Sequence, residues 1–122
     1  MRFERLQKDI GYQFCDQELL AKALTHSSYA YENQPRSAKD NELLEFLGDS
    51  VVGLITAEFY YAAFPDRGEG ELSKLKSSAT STLALSRLAQ KIRLDKFVML
   101  GRGEEKSGGR KKMSILAGTF EA

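Results

Sequence analysis

Apolar residues recur along this chain at three- and four-residue intervals, the period of amphipathic helices, and no segment shows the sustained alternation of paired strands. Phe3, Leu6 and Ile10 predict a short first helix stopped near Gly11. Asp16 is placed to cap a second, with Leu19, Leu20, Ala23 and Leu24 on its inner face. From Tyr29 to Lys39 the chain is polar and contains Pro35, which predicts a loop. A long helix is expected from about Asn41 to Phe64, ended by Pro65 and by Gly68 and Gly70. Leu72, Leu75, Ala79, Leu83, Leu85, Leu88 and Ile92 predict another long helix. Residues 101–110, with glycine at 101, 103, 108 and 109, read as a flexible basic loop. A last helix starts near Met113 and is still running at Ala122. The expected class is all-α.

With 122 residues the chain holds one domain, 1–122. No stretch approaches eighteen consecutive apolar residues, which excludes a membrane-spanning helix and predicts no membrane partner. The opening residues Met1-Arg2-Phe3-Glu4-Arg5-Leu6 are charged and lack the apolar core of a secretory signal. The single cysteine, Cys15, can make neither an internal disulfide nor a zinc site, which favours a reducing, cytoplasmic setting. Charge is distributed unevenly. Residues 1–65 carry six Lys/Arg against ten Asp/Glu, whereas residues 66–122 carry twelve against seven. Either this is an accident of a solvated surface, or an acidic metal site lies beside a basic surface for a polyanion.

The acid is concentrated in Asn41-Glu42-Leu43-Leu44-Glu45-Phe46-Leu47-Gly48-Asp49. At about 100° per residue, Glu42 and Glu45 stand roughly 60° apart and Glu42 and Asp49 roughly 20° apart, on one side of a helix. Like charges at this spacing destabilise a helix by a few tenths of a kcal/mol each. No Lys or Arg lies between Lys39 and Arg67, so the helix supplies no cation of its own. An exposed acidic face screened by water is one reading. A hard divalent cation is the other, because carboxylates without imidazole or thiolate suit Mg²⁺. Gly48, inside the helix, costs about 1 kcal/mol relative to alanine and so points to close approach by another element.

Those nine residues closely resemble the signature of the ribonuclease III family. Leu24-Thr25-His26-Ser27-Ser28-Tyr29, Glu69-Gly70-Glu71-Leu72-Ser73, residues 101–110 and residues 114–122 are similar to the family's other segments in the same order. The resemblance implies the helical ribonuclease III endonuclease fold, dimerising, and a metal-dependent endoribonuclease. Its action would be hydrolysis of double-stranded RNA to 5′-phosphate and 3′-hydroxyl ends in RNA processing. Glu45 would be a metal ligand, Asp49 a ligand and catalytic carboxylate, and Glu121 both ligand and catalytic residue. Glu42 and Glu69 would be supporting acids, and Phe46 would enter the other subunit of a homodimer. Mg²⁺ is the expected cofactor, with Mn²⁺ as an alternative. Lys106, Arg110, Lys111 and Lys112 are the expected phosphate contacts on double-stranded RNA, read by shape; a solvated basic loop is the alternative. His26, the only histidine, matches no chemical role and is expected at a helix end or in a buried structural position.

Two features depart from the family pattern. An aspartate is expected three residues before the last glutamate, and this chain has Gly118. The chain also ends inside the final helix, where the resemblance implies a continuing helix, another after it and a double-stranded-RNA-binding domain. A second reading follows, in which a catalytically impaired protein keeps the fold, binds duplex RNA or dimerises, and has lost efficient cleavage. A third, a purely structural interaction module, needs the acidic stripe to be paired across an interface.

Overall fold

A computed structural model describes residues 3–33 and 39–122 of the chain. Eight α-helices follow one another among these residues: α1 (Glu4–Ile10), α2 (Gln17–Ala23), α3 (Ser27–Glu32), α4 (Glu42–Ala63), α5 (Glu69–Ala79), α6 (Thr82–Lys91), α7 (Arg102–Lys106) and α8 (Met113–Glu121). Two 3₁₀ turns, Leu94–Lys96 and Gly109–Lys111, flank α7. The described residues contain no strand; a lone parallel bridge joins Thr25 to Met99.

α8 is the helix around which the rest is arranged. Ile115, Leu116, Ala117, Gly118 and Thr119 are all buried, so it has no solvent face over that stretch. It packs chiefly against α6 on one side and α4 on the other. Leu116 reaches a core built from Phe3, Leu6, Leu20, Leu24, Ala89 and Leu94, with Phe14, Ile92, Phe97 and Phe120 against its edge. α1, α2 and α6 thus hold α8 from behind, which leaves its other side to α4.

The start of α4 is fixed by polar contacts. Asn41 is buried at 3% exposure, and its Nδ2 donates to the Ala23 carbonyl at 3.0 Å. Its backbone N–H donates to the Thr25 carbonyl at 2.9 Å. Asp40 Oδ1 accepts from the Glu42 N–H at 3.0 Å, satisfying one of the first-turn donors. The segment 23–26 is itself held by Met99, whose N–H donates to the Leu24 carbonyl and whose carbonyl accepts from the His26 N–H.

Several sequence expectations hold: Gly11 ends α1 in a left-handed conformation, Asp16 Oδ1 caps α2 by accepting from Glu18 and Leu19, and α8 begins at Met113. Others need correction. Leu19 is exposed rather than on the inner face of α2. The loop expected from Tyr29 begins later, because α3 runs to Glu32 with the His26 ring as its cap, Nδ1 accepting from the Ser28 N–H; residues 34–38, with Pro35, lie outside the described residues. The helix expected over 72–92 is two helices. Ser81 Oγ accepts from the Ala84 N–H and opens α6, while Thr80 Oγ1 donates to the Lys76 carbonyl at the end of α5. Side-chain caps of this kind end one helix and start the next without interrupting the apolar period. Gly68 and Gly70 accordingly open α5 rather than end α4.

Residues 101–110 are not an open loop. Arg110 Nη1 donates to the carbonyls of Asp95 (2.7 Å) and Val98 (2.8 Å), and its Nε and Nη2 grip the Glu105 carboxylate. One guanidinium therefore ties the 3₁₀ turn at 94–96, α7 and the entry to α8 together, using the fork geometry that suits a carboxylate.

Candidate active site

Glu42, Glu45 and Asp49 project from the first two turns of α4, and Glu121 projects from the last turn of α8. With Phe46 they line one open cleft of about 440 Å³. The acids are brought together because α4 and α8 approach closely at Gly48. A Cβ placed on Gly48 would fall onto the Glu121 carbonyl, so only glycine permits this contact. The helix-weakening glycine in the sequence is thus the point at which one acidic helix meets the residue that completes the cluster.

A second contact is made at Gly118. A Cβ there would lie 2.7 Å from Glu45 Oε2 and 3.0 Å from Oε1. The Glu45 carboxyl therefore rests directly on the backbone of α8. Leaving water raises its pKa, and the charges of Glu42 and Asp49 add to that rise while His26 opposes it. Glu121 is affected more strongly. Burial, a hydrogen bond with Asp49 and the charges of Asp49 and Glu45 push its carboxyl up to about 7.

The raised pKa of Glu121 ties the stability of the fold to pH. Its folded-state pKa lies above that of an ordinary glutamate, so the stability it contributes is present below about 4.5 and is lost as pH rises through about 7. Without divalent ions the melting temperature is expected to fall between about pH 5 and pH 8, and Glu121→Gln should flatten that slope. A thermal melt series across pH checks both.

The remaining expected residues are dispersed. Glu69 stands at the start of α5 and borders a separate groove of about 900 Å³ between α4 and α5, lined by Leu54, Tyr61, Phe64 and Leu72. Within one chain it does not join the other acids. Arg110 is committed to internal contacts, and Lys112 Nζ pairs with Glu104 at 3.0 Å. Lys106 and Lys111 are exposed. The acids at 104 and 105, just upstream of the basic cluster, were the sequence signal for this internal pairing. His26 occupies a helix end, as expected.

Phe46 on α4 is legible in the sequence, but it belongs to a helix with a much larger apolar exposure. No residue of the 22-residue α4 is buried. Leu43, Phe46, Leu47, Leu54, Ile55, Phe59 and Tyr61 are each 60–76% exposed. Leu43, Leu47, Leu54 and Tyr61 fall within roughly 40° of one another on the helix, away from the acidic stripe. A helix apolar on nearly every side is the signal that points to such a face.

The chain is similar to known proteins over nearly its whole length. The family model described as ribonuclease-III-like matches residues 16–122. Ribonuclease 3 of Syntrophobacter fumaroxidans is 49% identical over 119 residues, covering 98% of this chain and 49% of that protein. Ribonuclease 3 of Listeria monocytogenes is 41% identical over 121 residues, covering 99% of this chain and 53% of that protein. The chain thus spans about half the length of the curated relatives it matches. Among solved structures, the nuclease domain of ribonuclease III from Campylobacter jejuni superposes with a TM-score of 0.90 at 35% identity, over 98% of this chain and 79% of that one. That structure is described for flexibility in a region involved in dimer formation.

Proposed function

The chain belongs to the ribonuclease-III-like family, and on that premise we propose that residues 1–122 are the catalytic domain of a divalent-metal-dependent endoribonuclease. Its substrate is double-stranded RNA, hydrolysed to 5′-phosphate and 3′-hydroxyl ends during RNA processing in the cytoplasm. The observation that carries this reading is the convergence of Glu45 and Asp49 with Glu121, from two helices, in one solvent-open cleft.

The donor set is all oxygen, as Mg²⁺ or Mn²⁺ requires. Among the described residues no group of three or more acidic, imidazole or thiol side chains stands close enough to hold a metal ion as placed, so an ion would have to draw these carboxylates together. The mutual repulsion that drives the Glu121 carboxyl up to about 7 is what a cation would relieve. Glu45, Asp49 and Glu121 are the residues to hold it, with Glu42 and Glu69 in supporting roles. When bound, such an ion supplies Lewis-acid activation of water and neutralises charge building on the phosphate. Asp49 and Glu121, which line the same cleft, are the carboxylates placed to take up the proton lost by the attacking water. Lys106 and Lys111 are the phosphate contacts this reading favours, since Arg110 and Lys112 are already paired with acids of the same chain.

The working unit is a homodimer joined through the apolar face of α4, because a contiguous face of that kind is rare on a monomer. In a two-fold interface each substitution counts twice. Leu54→Glu should raise the dimer dissociation constant at least ~100-fold and give a monomer by light scattering at micromolar concentration.

The direct test is cleavage of a long RNA duplex with and without Mg²⁺. Gly118 favours a second reading, a duplex-binding or dimerising protein with weak turnover, since position 118 faces the cluster and offers no donor. Duplex binding without cleavage at high Mg²⁺, converted to cleavage by Gly118→Asp, would establish that second reading.

A further inference from the structure

The acidic stripe of α4 has no cation on its own helix, and the fold brings one to it from α5. Lys76 lies across α4 at Gly53, its Cε and Nζ 3.6 and 3.7 Å from where a Cβ at 53 would stand. The bare backbone there leaves room for the lysine stem to rest on the helix while its charged end stays in water. Gly53 belongs to the acidic side of α4. At about 100° per residue it falls roughly 20° from Glu42 and 40° from Asp49, and roughly 100° or more from Leu47 and Leu54 on the apolar face. It stands one turn beyond Asp49, about 6 Å along the axis. Lys76 is exposed, and among the described residues no carboxylate forms an ion pair with it. Nor does it offset the charge of the cluster, since the charged groups acting on Glu45 and Glu121 are other acids and His26. Arg67, which lines the same groove as Lys76, is already engaged with Glu71 at 3.6 Å and with the Phe64 ring.

We propose that Lys76 is a substrate-contact residue: resting on Gly53, its ammonium takes a phosphate of the RNA strand next to the one presented to the acids of α4. This rests on the endoribonuclease reading above and adds to it a cation outside the basic segment 106–112. A polyanion laid along a row of carboxylates is repelled unless positive charge stands beside that row. Lys76 supplies the charge one turn from Asp49, on the scale of a single nucleotide step. A compact ammonium on a flexible stem suits a phosphate, which carries no sequence to read. The competing partner is an acid of a second copy. It is disfavoured because Gly53 is turned roughly 80–120° away from the apolar face that joins the copies.

Binding of an RNA duplex without divalent ions, followed between about 50 and 200 mM salt, reads the contact directly. Lys76→Gln keeps most of the stem and removes the charge. It should make the dependence of log Kd on log salt shallower by about 1 for each lysine that meets a phosphate. Single-turnover cleavage at saturating duplex should fall at least ~10-fold, because the strand is held less well in line with the acids. Lys76→Arg should restore both quantities, and every variant should melt close to wild type, as expected of an exposed position. Lys74→Gln is the matched control: it removes one charge two residues away, about 160° round α5, and should leave the salt slope unchanged. Equal effects of Lys74→Gln and Lys76→Gln would reveal diffuse attraction only and overturn the proposal. An unchanged slope in Lys76→Gln also overturns it, and a raised dimer dissociation constant in the same variant would assign the lysine to the second copy. Duplex binding without cleavage in the wild type would count against the endoribonuclease reading alone, with the slope still deciding the contact. A wild-type chain that binds no duplex removes both.

Discussion

Replacing Asp49 with alanine should lower Mg²⁺-dependent cleavage of duplex RNA by about a thousandfold or more, equivalent to about 4 kcal/mol of transition-state stabilisation. The chain should remain folded and should still bind duplex. The two halves of that expectation have separate physical grounds. Asp49 is exposed on α4, so truncating it opens no cavity in the core. It also removes one negative charge from a cluster in which it raises the pKa of both Glu45 and Glu121, so the cation-free protein should melt at the same temperature or higher. Catalysis loses at once an oxygen donor for the ion and the hydrogen-bonding partner of Glu121. Duplex binding should persist because phosphate contacts elsewhere carry the affinity. Single-turnover cleavage, a filter-binding titration and a thermal melt on the same sample separate the three quantities. A variant cleaving within tenfold of wild type would remove Asp49 from the chemistry.

The second large effect concerns Gly48, where two principles predict opposite signs. Inside a helix, glycine to alanine is ordinarily worth about 1 kcal/mol of stability. Here the added methyl falls onto the Glu121 carbonyl, which is backbone and cannot swing aside. Overpacking of this kind typically costs 1–3 kcal/mol, and a backbone obstacle belongs at or above the upper end. The steric term should win. Gly48→Ala is expected to lower the melting temperature by about 5–15 °C. It should also reduce cleavage by more than the stability loss explains, since α4 and α8 can separate only by carrying Glu45 and Asp49 away from Glu121. A Gly48→Ala chain more stable than wild type would show that the close approach does not exist in solution.

These two residues also show how far local sequence reaches. The acidic stripe of α4 was legible because three carboxylates at helical spacing with no cation between Lys39 and Arg67 is a property of neighbours along the chain. Gly48 was legible as a close-approach position for the same reason, though not what approaches it. The caps at Gly11 and Asp16 and the start of α8 are likewise decided within a turn of helix, where propensity and capping act. The motifs shared with the ribonuclease III family carried the fold as a whole.

What only the tertiary structure decided lies at contacts between distant segments. The break at Thr80–Ser81 was hidden because the leucine period continues across it. Arg110, expected at a phosphate, also spends its guanidinium on Asp95, Val98 and Glu105 of its own chain. Glu69 matched a family acid, yet a single chain keeps it in a different groove. Gly118 read as a missing donor, and in the fold the Glu45 carboxyl lies against its backbone. Except at Thr80–Ser81, where local side-chain caps decide, the deciding energy is steric or electrostatic contact between segments apart in sequence. Spacing along the chain determined which helices form and which charges they carry; packing of α4 on α8 determined which of those charges meet.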